Sequence, residues 1–394
     1  MSEAKKVVLG VSGGIAAYKS CEIVRLLKKH GHDVYVVMTR DATEFVSAKT
    51  FQALSQQEVF VDDLSKSNTS NAMDHIALAR MADAILIAPA TANTIAKIAN
   101  GIADNLLTTM VLARGNCPLL IAPAMNTQMW NNFATQRNIK QLIADGVQII
   151  NPASGELACG EVGIGKMASY DEIVDLLQDV WCEKFLNGRN VLITLGATME
   201  MIDPVRGITN ISTGRMGVAL SRACRRAGAN VHIVHGSVAV PLPYGMSSVD
   251  GVTNAQDMYD VVMRKVENCD IFISVAAVAD YRVLNKSDKK IKKNNGLPVI
   301  ELTENPDILA SVANLDNPPF CVGFAAESNR VVEYAREKRI KKNIPMLVAN
   351  QVNEAMGKTT NHVTIIDTQQ EITLPQMDKD KVAMAIVKRL GELL

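Results

Sequence analysis

The sequence predicts an α/β protein built from two doubly wound, mainly parallel sheets of the Rossmann-like type. Short runs rich in β-branched residues alternate with longer segments of helical periodicity, as expected for parallel βαβ units. These runs fall into two series, and a chain of 394 residues is too long for one compact core. The pattern therefore predicts two domains, each with its own sheet.

The first series predicts strands joined by helices. Its apolar runs are Lys6 to Val11, Val34 to Met38, Ala84 to Ala88, Leu119 to Ala122 and Val147 to Ile150. Helical segments lie between them at Ile15 to His30, Thr94 to Asn100 and Asn132 to Asp145. Because parallel strands end at one edge of a sheet, the loops that follow these runs are where a ligand is expected.

The second series begins after an amphipathic helix predicted from Tyr170 to Phe185. Asn187-Gly188 is a helix stop, so we place the boundary there and predict domains 1–187 and 188–394. The strands predicted beyond it are Asn190 to Thr194, Asn230 to Val234, Asp270 to Val275, Phe320 to Phe324, Met346 to Ala349 and His362 to Ile366.

Composition narrows the class of protein. Lys plus Arg and Asp plus Glu both number 41, and this balance argues against a broad nucleic-acid surface. The 7 cysteines are scattered without a C-x-x-C pair, which favours neither a disulfide framework nor a zinc site and fits a reducing cytoplasm. No apolar stretch reaches the roughly 18 residues that span a bilayer. We therefore expect a cytoplasmic protein that has no nucleic-acid or membrane partner.

Two loops of the first series are typical of phosphate binding. Ser12-Gly13-Gly14 joins a strand to a helix, where glycines permit a tight turn and free N–H groups attract an anion. Thr91 and Asn93 offer a hydroxyl and an amide after the run Ala84 to Ala88. Together the loops indicate one phosphate-bearing ligand, although a purely structural turn would also explain the glycines.

Another strand end carries Pro123-Ala-Met-Asn-Thr-Gln-Met-Trp130. Here the amide of Asn126 lies among soft groups such as Met129, a combination suited to holding a polar acyl chain against a flat ring. An ordinary loop whose Met and Trp cover the core is the alternative.

His75 follows Asp74, a good helix N-cap, so we expect a neutral imidazole in a first helical turn. An ordinary surface histidine is the alternative.

A glycine-rich segment, Ala158-Cys-Gly-Glu-Val-Gly-Ile-Gly-Lys-Met167, resembles a P-loop only superficially. Met167 stands where a P-loop needs Ser or Thr for magnesium, and no buried strand leads into the segment. What remains is a mobile loop with one thiol, Cys159. Such a loop could act as a lid that delivers a proton donor.

Taken together, these motifs resemble the homo-oligomeric flavin-containing cysteine decarboxylases over residues 1 to about 180. The resemblance implies a flavodoxin-like domain that binds FMN through the Ser12 and Thr91 loops. It implies phosphopantothenoylcysteine as substrate, His75 at the flavin face, Asn126 on the substrate amide or carboxylate and Cys159 as proton donor. The flavin and substrate side as a whole comprises Ser12, Gly13, Gly14, Thr39, Thr91, Asn93 and Met129.

The second half has its own anion-binding features. A glycine-rich turn with hydroxyls, Asn210-Ile-Ser-Thr-Gly-Arg-Met-Gly217, precedes a predicted helix. Lysine runs occur at Lys286 to Lys293 and Arg336 to Lys342. Lysine runs are usually solvated surfaces, but a triphosphate needs several cations at once, and loops can gather them.

This half resembles phosphopantothenate-cysteine ligase, and the order of the halves matches the bifunctional coenzyme A biosynthesis proteins of bacteria. The resemblance implies a nucleotide-binding ligase domain that uses CTP and Mg²⁺, with Asn210 handling the acyl-cytidylate, Lys290 as a catalytic cation and Asp280 as a metal ligand. Its nucleotide positions are Ser274, Val275, Ala276, Asp280, Lys290, Pro306, Asp307, Ile308, Leu309, Phe324, Lys338 and Lys342.

The reactions implied are sequential. Cysteine is ligated to 4'-phosphopantothenate as CTP becomes CMP and pyrophosphate, and the product is then decarboxylated to 4'-phosphopantetheine. The resemblance also implies a homo-oligomer, with trimers of the flavin domain assembling into a dodecamer. Two other classes stay open: a flavoprotein of this fold that modifies flavin or a peptide carboxyl terminus, and a non-catalytic regulatory subunit.

Overall fold

A computed structural model describes residues 4–61, 74–158, 160–292, 299–327, 330–351 and 358–394. Contacts divide the chain into two compact units, Met1–Val180 and Trp181–Leu394. No helix in these described ranges is both long and apolar enough to cross a membrane.

The first unit contains a parallel sheet with strands in the order β3-β2-β1-β4-β5-β6. Its strands are β1 Lys6–Val11, β2 Asp33–Met38, β3 Val59–Val61, β4 Ala84–Ala90, β5 Leu119–Pro123 and β6 Gln148–Ile149. The order reverses between β1 and β4, which makes the sheet doubly wound, as predicted.

The helices of this unit fill the connections between strands. They are α1 Ser20–Lys29, α2 Ala48–Ser55, α3 Asp74–Met81, α4 Ala92–Ala99, α5 Leu106–Leu112, α6 Thr127–Asn131, α7 Phe133–Ala144 and α8 Tyr170–Leu177. The predicted helix from Ile15 is in fact a 3-10 turn, Ile15–Lys19, followed by α1. The predicted helix to Phe185 was too long, because α8 ends at Leu177 and a 3-10 turn covers Gln178–Trp181.

The segment predicted as a glycine-rich loop is largely a β-hairpin. Its strands are β7 Ala153–Glu156 and β8 Val162–Lys166, paired antiparallel. Gly163 and Gly165 let β8 approach the loop after β5, since a Cβ at Gly165 would lie 2.3 Å from the carbonyl oxygen of Met125. Close approach of the Met125 carbonyl explains Gly165, and close approach of the Thr127 side chain explains Gly163. Cys159 lies outside the described residues.

The second unit has a larger sheet in the order β13-β12-β9-β14-β17-β18-β20-β21. Its strands are β9 Asn190–Leu195, β12 Asn230–His235, β13 Ser248–Gly251, β14 Ile271–Ser274, β17 Phe320–Glu327, β18 Met346–Gln351, β20 Val363–Asp367 and β21 Glu371–Thr373. Neighbours from β13 to β18 are parallel, whereas β20 and β21 are antiparallel. The order reverses between β9 and β14, so this sheet is doubly wound as well.

Short ribbons and helices complete the second unit. The ribbon strands are β10 Met199–Met201, β11 Gly207–Thr209, β15 Tyr281–Val283, β16 Leu302–Glu304, β19 Thr360–Asn361 and β22 Met377–Asp378, and the helices are α9 Arg215–Arg226, α10 Ala255–Lys265, α11 Ile308–Ala313, α12 Val331–Lys341 and α13 Lys379–Leu393. One apolar cluster joins α9 and α13 to the sheet, and another joins α10, α11 and α12 to it. The sheet is thus covered on both faces, as its continuous apolar strands require.

Candidate functional sites at the two sheet edges

In the first unit, Ser12 connects the ends of β1 and β4. Its hydroxyl donates to the carbonyl oxygen of Pro89 at 2.8 Å and accepts from the amide of Thr91 at 3.0 Å. Ser12 is only 1% exposed, so these bonds fix the loop firmly. β1 and β4 are the strands between which the order reverses, and this is where open α/β sheets bind ligands.

The neighbouring loops leave a polar cradle at the same edge. A Cβ at Gly13 would lie 2.3 Å from Cβ of Asp41, so only glycine fits there. The hydroxyl of Thr39, just after β2, is buried with no hydrogen-bond partner among the described residues. Thr91 caps α4 through Thr94, and Asn93 is exposed in the first turn. An unsatisfied buried hydroxyl beside a glycine turn fits the phosphate of a flavin nucleotide.

Asn126 lies after β5 and caps α6. Its side-chain oxygen accepts from the amide of Gln128 at 2.7 Å, and its nitrogen donates to Oε2 of Glu161 at 2.7 Å. The amide is therefore held between α6 and the tip of the β7–β8 hairpin. Met129 is 48% exposed, whereas Trp130 is 7% exposed and packs in the core. Met129 is exposed at this edge, whereas Trp130 has the alternative, structural role.

His75 lies in the first turn of α3 and is partly buried. Ser12, Thr39, Thr91 and Asn126 follow the ends of parallel strands and therefore lie at one edge of the sheet. The helix of a βαβ unit runs antiparallel to its strands, so we expect the first turn of α3, with His75, at the same edge. Cys159 cannot be placed with them, because it lies outside the described residues.

The second unit has a cavity of about 340 Å³ at the end of β14. It contains most of the residues predicted for the nucleotide, namely Ser274, Ala276, Asp280, Pro306, Asp307, Ile308, Leu309, Phe324, Lys338 and Lys342. Lys342 pairs with Asp307, at 2.8 Å between Nζ and Oδ2, and Asp307 also caps α11. Burial alone would raise the pKa of Asp307, but the bonds from Lys342 and the Ala310 amide hold it below its usual value.

A second cavity, also about 340 Å³, adjoins the first. It is lined by Asn210, Val275 and the turn that begins α9, and Asn210 donates to the carbonyl oxygen of Ala277 at 3.0 Å. The two cavities share four lining residues, which are Ala276, Val278, Phe324 and Lys338. Two ligands could therefore meet across a common wall.

Lys290 does not line either cavity, although the other predicted residues of this unit do. It is exposed, on a segment whose last lysine, Lys293, lies outside the described residues. Asp280 lines the first cavity with an exposed carboxylate. Across the described ranges, no group of three or more His, Cys, Asp and Glu side chains could hold a metal. One carboxylate suits Mg²⁺ that is bound mainly by nucleotide phosphates.

Several residues at these edges escaped sequence reasoning. Glu161 holds Asn126, and the second cavity also contains Asn350, Asn361 and the 8%-exposed Lys379. These residues are far apart in sequence and belong to no short motif. The sequence alone shows Lys379 only as a charged residue at the start of an apolar helix, α13.

The fold defines a chain of two doubly wound domains, each with polar side chains gathered at the edge of its sheet where such domains bind ligands. Family models agree: residues 1–181 match the flavoprotein family, and residues 186–393 match the C-terminal domain of the DNA/pantothenate metabolism flavoproteins. The chain belongs to the family of coenzyme A biosynthesis bifunctional proteins, CoaBC. It is a bifunctional enzyme with a flavoprotein decarboxylase part and a ligase part.

Individual relatives cover nearly the whole chain. The coenzyme A biosynthesis bifunctional protein CoaBC of Vibrio vulnificus strain CMCP6 is 46% identical over 99% of this chain and 98% of its own. The protein of that name from Bacillus subtilis strain 168 is 42% identical over 99% and 97%. A crystal structure of the C-terminal domain of a CoaBC protein is 37% identical, with a TM-score of 0.46, and covers 54% of this chain and 98% of that one.

Proposed function

We propose that the chain ligates cysteine to 4'-phosphopantothenate with CTP in residues 188–394 and decarboxylates the product with FMN in residues 1–187. The observation that carries the proposal is the pair of adjoining cavities in the second unit, one with Asn210 and the other with Lys338, Lys342 and Asp307. A ligase must hold an acid and a nucleotide side by side. The flavoprotein domain that precedes it supplies a use for the product.

Ligation begins with the poor electrophilicity of a carboxylate. In the proposed arrangement the nucleotide base and ribose lie in the cavity of Asp307, and the acid approaches through the cavity of Asn210. The carboxylate oxygen attacks the α-phosphorus, and the bond to pyrophosphate breaks. The cysteine amine then attacks the acyl carbon, CMP leaves and the amine loses a proton. Lys338 and Lys342 stabilise the charge on the phosphates.

Magnesium would support the same step. Asp280 is the residue that would hold it, together with phosphate oxygens of the nucleotide. The ion would offset negative charge on the leaving pyrophosphate. Lys290 is assigned the same task on the basis of the family resemblance alone, since it is exposed and lines neither cavity.

Decarboxylation needs a sink for electrons, because loss of carbon dioxide from an acylated cysteine would leave a carbanion next to nitrogen. A bound FMN would supply this sink, because a flavin can accept an electron pair reversibly. The Ser12 loop, Thr39 and Thr91 would hold its phosphate, and His75 would face the ring. Asn126 would orient the acyl amide or carboxylate. Cys159 would donate the final proton, since a thiol pKa of about 8.5 suits both giving and regaining it.

The family resemblance also supports a proposal for assembly and location. We propose a cytoplasmic homo-oligomer, a dodecamer built from trimers of the flavin domain, with no nucleic-acid or membrane partner. Size measurement by light scattering tests this directly. A monomer with full decarboxylase activity would contradict it.

The decisive experiment incubates purified chain with 4'-phosphopantothenate, cysteine, Mg²⁺ and either CTP or ATP. We expect pyrophosphate and carbon dioxide with CTP, in equal amounts, and a yellow protein. Supplied phosphopantothenoylcysteine should release carbon dioxide without any nucleotide. Absence of nucleotide-dependent pyrophosphate would overturn the ligase half, and a preparation that stays colourless after FMN is added would overturn the decarboxylase half.

A further inference from the structure

A turn next to Asn210 is bound to the segment that carries Lys290. The turn joins β10 to β11, and three hydrogen bonds link it to the segment. The amide of Ser287 donates to the carbonyl oxygen of Ile202 at 3.0 Å, the amide of Ile291 donates to Asp203 at 3.1 Å, and Arg206 donates to the carbonyl oxygen of Ile291 at 3.1 Å.

Asp203 is the centre of this link. Its side chain is 0% exposed. Oδ1 accepts from the amides of Val205 and Arg206, each at 2.9 Å, while Oδ2 accepts from Nε of Arg206 at 3.0 Å and from the amide of Ile291 at 3.1 Å. The guanidinium of Arg206 holds the pKa of Asp203 well below its usual value. One buried carboxylate therefore shapes the turn with one oxygen and anchors the neighbouring segment with the other.

Each side of the link leads to a residue assigned to ligation. Lys290 directly precedes Ile291, whose amide is held by Asp203. On the other side, β11 ends at Thr209, whose hydroxyl donates to the carbonyl oxygen of Thr198 at 2.7 Å. Asn210 follows and is fixed to Ala277 in the wall of the second cavity. The path from Lys290 to Asn210 runs through Asp203 and one short hairpin.

We propose that Asp203 is a positioning residue for ligation, which fixes the Lys290 segment relative to Asn210 and the shared wall of the two cavities. The inference rests on the proposed function, because it requires Lys290 and Asn210 to act in ligation. An exposed lysine has many rotamers and a flexible segment would add more, so anchoring the next residue reduces the entropy lost when Lys290 meets the nucleotide.

The substitution Asp203→Asn tests the link without removing the turn. The amide oxygen can still accept from the Val205 and Arg206 amides. Its NH₂ group would then face Nε of Arg206 and the amide of Ile291, which are both donors, so the anchor to the segment is lost. We expect kcat/KM for CTP in ligation to fall about 10- to 100-fold. Hydrogen exchange in residues 284–292 should become faster.

Asp270→Asn is the matched control. Asp270 also accepts from an arginine, Arg189 at 3.0 Å, and from a backbone amide, Asn190 at 2.7 Å, but it lies before β14, at the opposite edge of the sheet. We expect this variant to lose stability with normal kinetic constants. Decarboxylation of supplied phosphopantothenoylcysteine should be unchanged in both variants and reports that the first domain is folded.

A double-mutant cycle separates positioning from a general loss of structure. If Asp203 acts through Lys290, Asp203→Asn should have little further effect on kcat/KM in a Lys290→Ala background. Normal ligation by Asp203→Asn, or losses that multiply fully in the double variant, would overturn the inference. Failure of the proposed function would look different, because the unmodified chain would then form no pyrophosphate.

Discussion

At the carboxyl edge of the first sheet, the loops after β1, β4 and β5 present hydroxyls and an amide, whereas the corresponding edge of the second sheet presents lysines and carboxylates. Ser12 is engaged by a backbone amide and a carbonyl, and Asn126 by a backbone amide and the Glu161 carboxylate. In the second unit, Lys342 and Asp307 form an ion pair within the cavity. The same fold thus supports one site lined mainly by neutral hydrogen-bonding groups and another lined by paired charges.

The difference matches the ligands proposed for each unit. One phosphate and a flat ring need a preformed cradle, whereas a triphosphate whose pyrophosphate must leave needs cations that compensate changing charge. If this comparison is correct, variants in one unit should alter one reaction and leave the other unchanged. The reaction that a variant leaves unchanged then serves as the internal control for the reaction that it alters.

Cys159→Ser should produce the largest difference between the rates of the two reactions. Decarboxylation should fall about 10²- to 10⁴-fold, since a hydroxyl is a far weaker acid than a thiol in general acid catalysis. Pyrophosphate release in ligation should be unchanged. Carbon dioxide and pyrophosphate measured on the same sample give both rates.

Cys117→Ser is the control for that variant. Cys117 lies just before β5, and its thiol donates to the carbonyl oxygen of Ala82 at 3.2 Å. Burial raises the pKa of this thiol. A serine there can keep the bond, so both reactions should proceed normally. Decarboxylation by Cys159→Ser at the rate of Cys117→Ser would remove the proposed proton donor.

Lys342→Ala should have the opposite effect and impair ligation alone. Loss of a charged donor from the first cavity should raise the KM for CTP about 10- to 100-fold, and Asp307 would be left without its cation. Decarboxylation should not change. The exposed neighbour Lys341 provides the control, because it does not line the cavity. Equal KM values for Lys342→Ala and Lys341→Ala would contradict the assignment.

Strand positions were largely predictable because buried parallel strands are continuous apolar runs. Lys6–Val11 has the predicted bounds, and most others differ by one or two residues at an end. β3 was missed because it has three half-buried residues, and the β7–β8 ribbon was missed because its glycines were interpreted as a loop. Their sequence lacks the apolar signal of a core strand.

The site was predictable only where a motif carries it. Ser12, Thr91 and Asn126 follow apolar runs, so the sequence alone assigns them to one sheet edge. Asp203 and Glu161 could not, because their roles depend on partners 88 and 35 residues away along the chain. Contacts at such sequence separation arise from the packing of loops, which local patterns do not encode.

A smaller effect should distinguish a loop that binds a ligand from one that only packs. Ser12→Ala and Ser20→Ala each remove a buried hydroxyl that donates to a carbonyl oxygen, at 2.8 Å to Pro89 and 2.6 Å to Ala88. Each should lower the free energy of unfolding by about 1–3 kcal/mol. Only Ser12→Ala should also weaken FMN binding, by about 2- to 10-fold, because Thr91 loses its anchor. Fluorescence titration of FMN would show whether the two variants differ.

The smallest effect concerns acid and the buried histidine His32 of the first unit. His32 is 2% exposed and its Nδ1 accepts from the Lys5 amide at 3.3 Å, so the fold requires a neutral ring. Burial, together with the nearby His30, lowers its pKa. The unfolded chain therefore binds a proton from about pH 6.5 downwards while the folded chain does not, and stability falls as the pH decreases through that region.

The buried pair of the second unit behaves differently. Burial opposes ionisation of Asp367, but Arg389, at 2.8 Å, and two backbone amides hold its pKa below the usual value. Its contribution to stability should persist down to about pH 4 and be lost only as the pH falls further. Thermal melts followed by flavin release should show that the melting temperature of the unmodified chain falls between pH 7.5 and 5. His32→Gln should reduce this fall. His30→Gln, at an exposed site, should leave it unchanged. The same decline in all three proteins would mean that another group controls the acid response of the first unit.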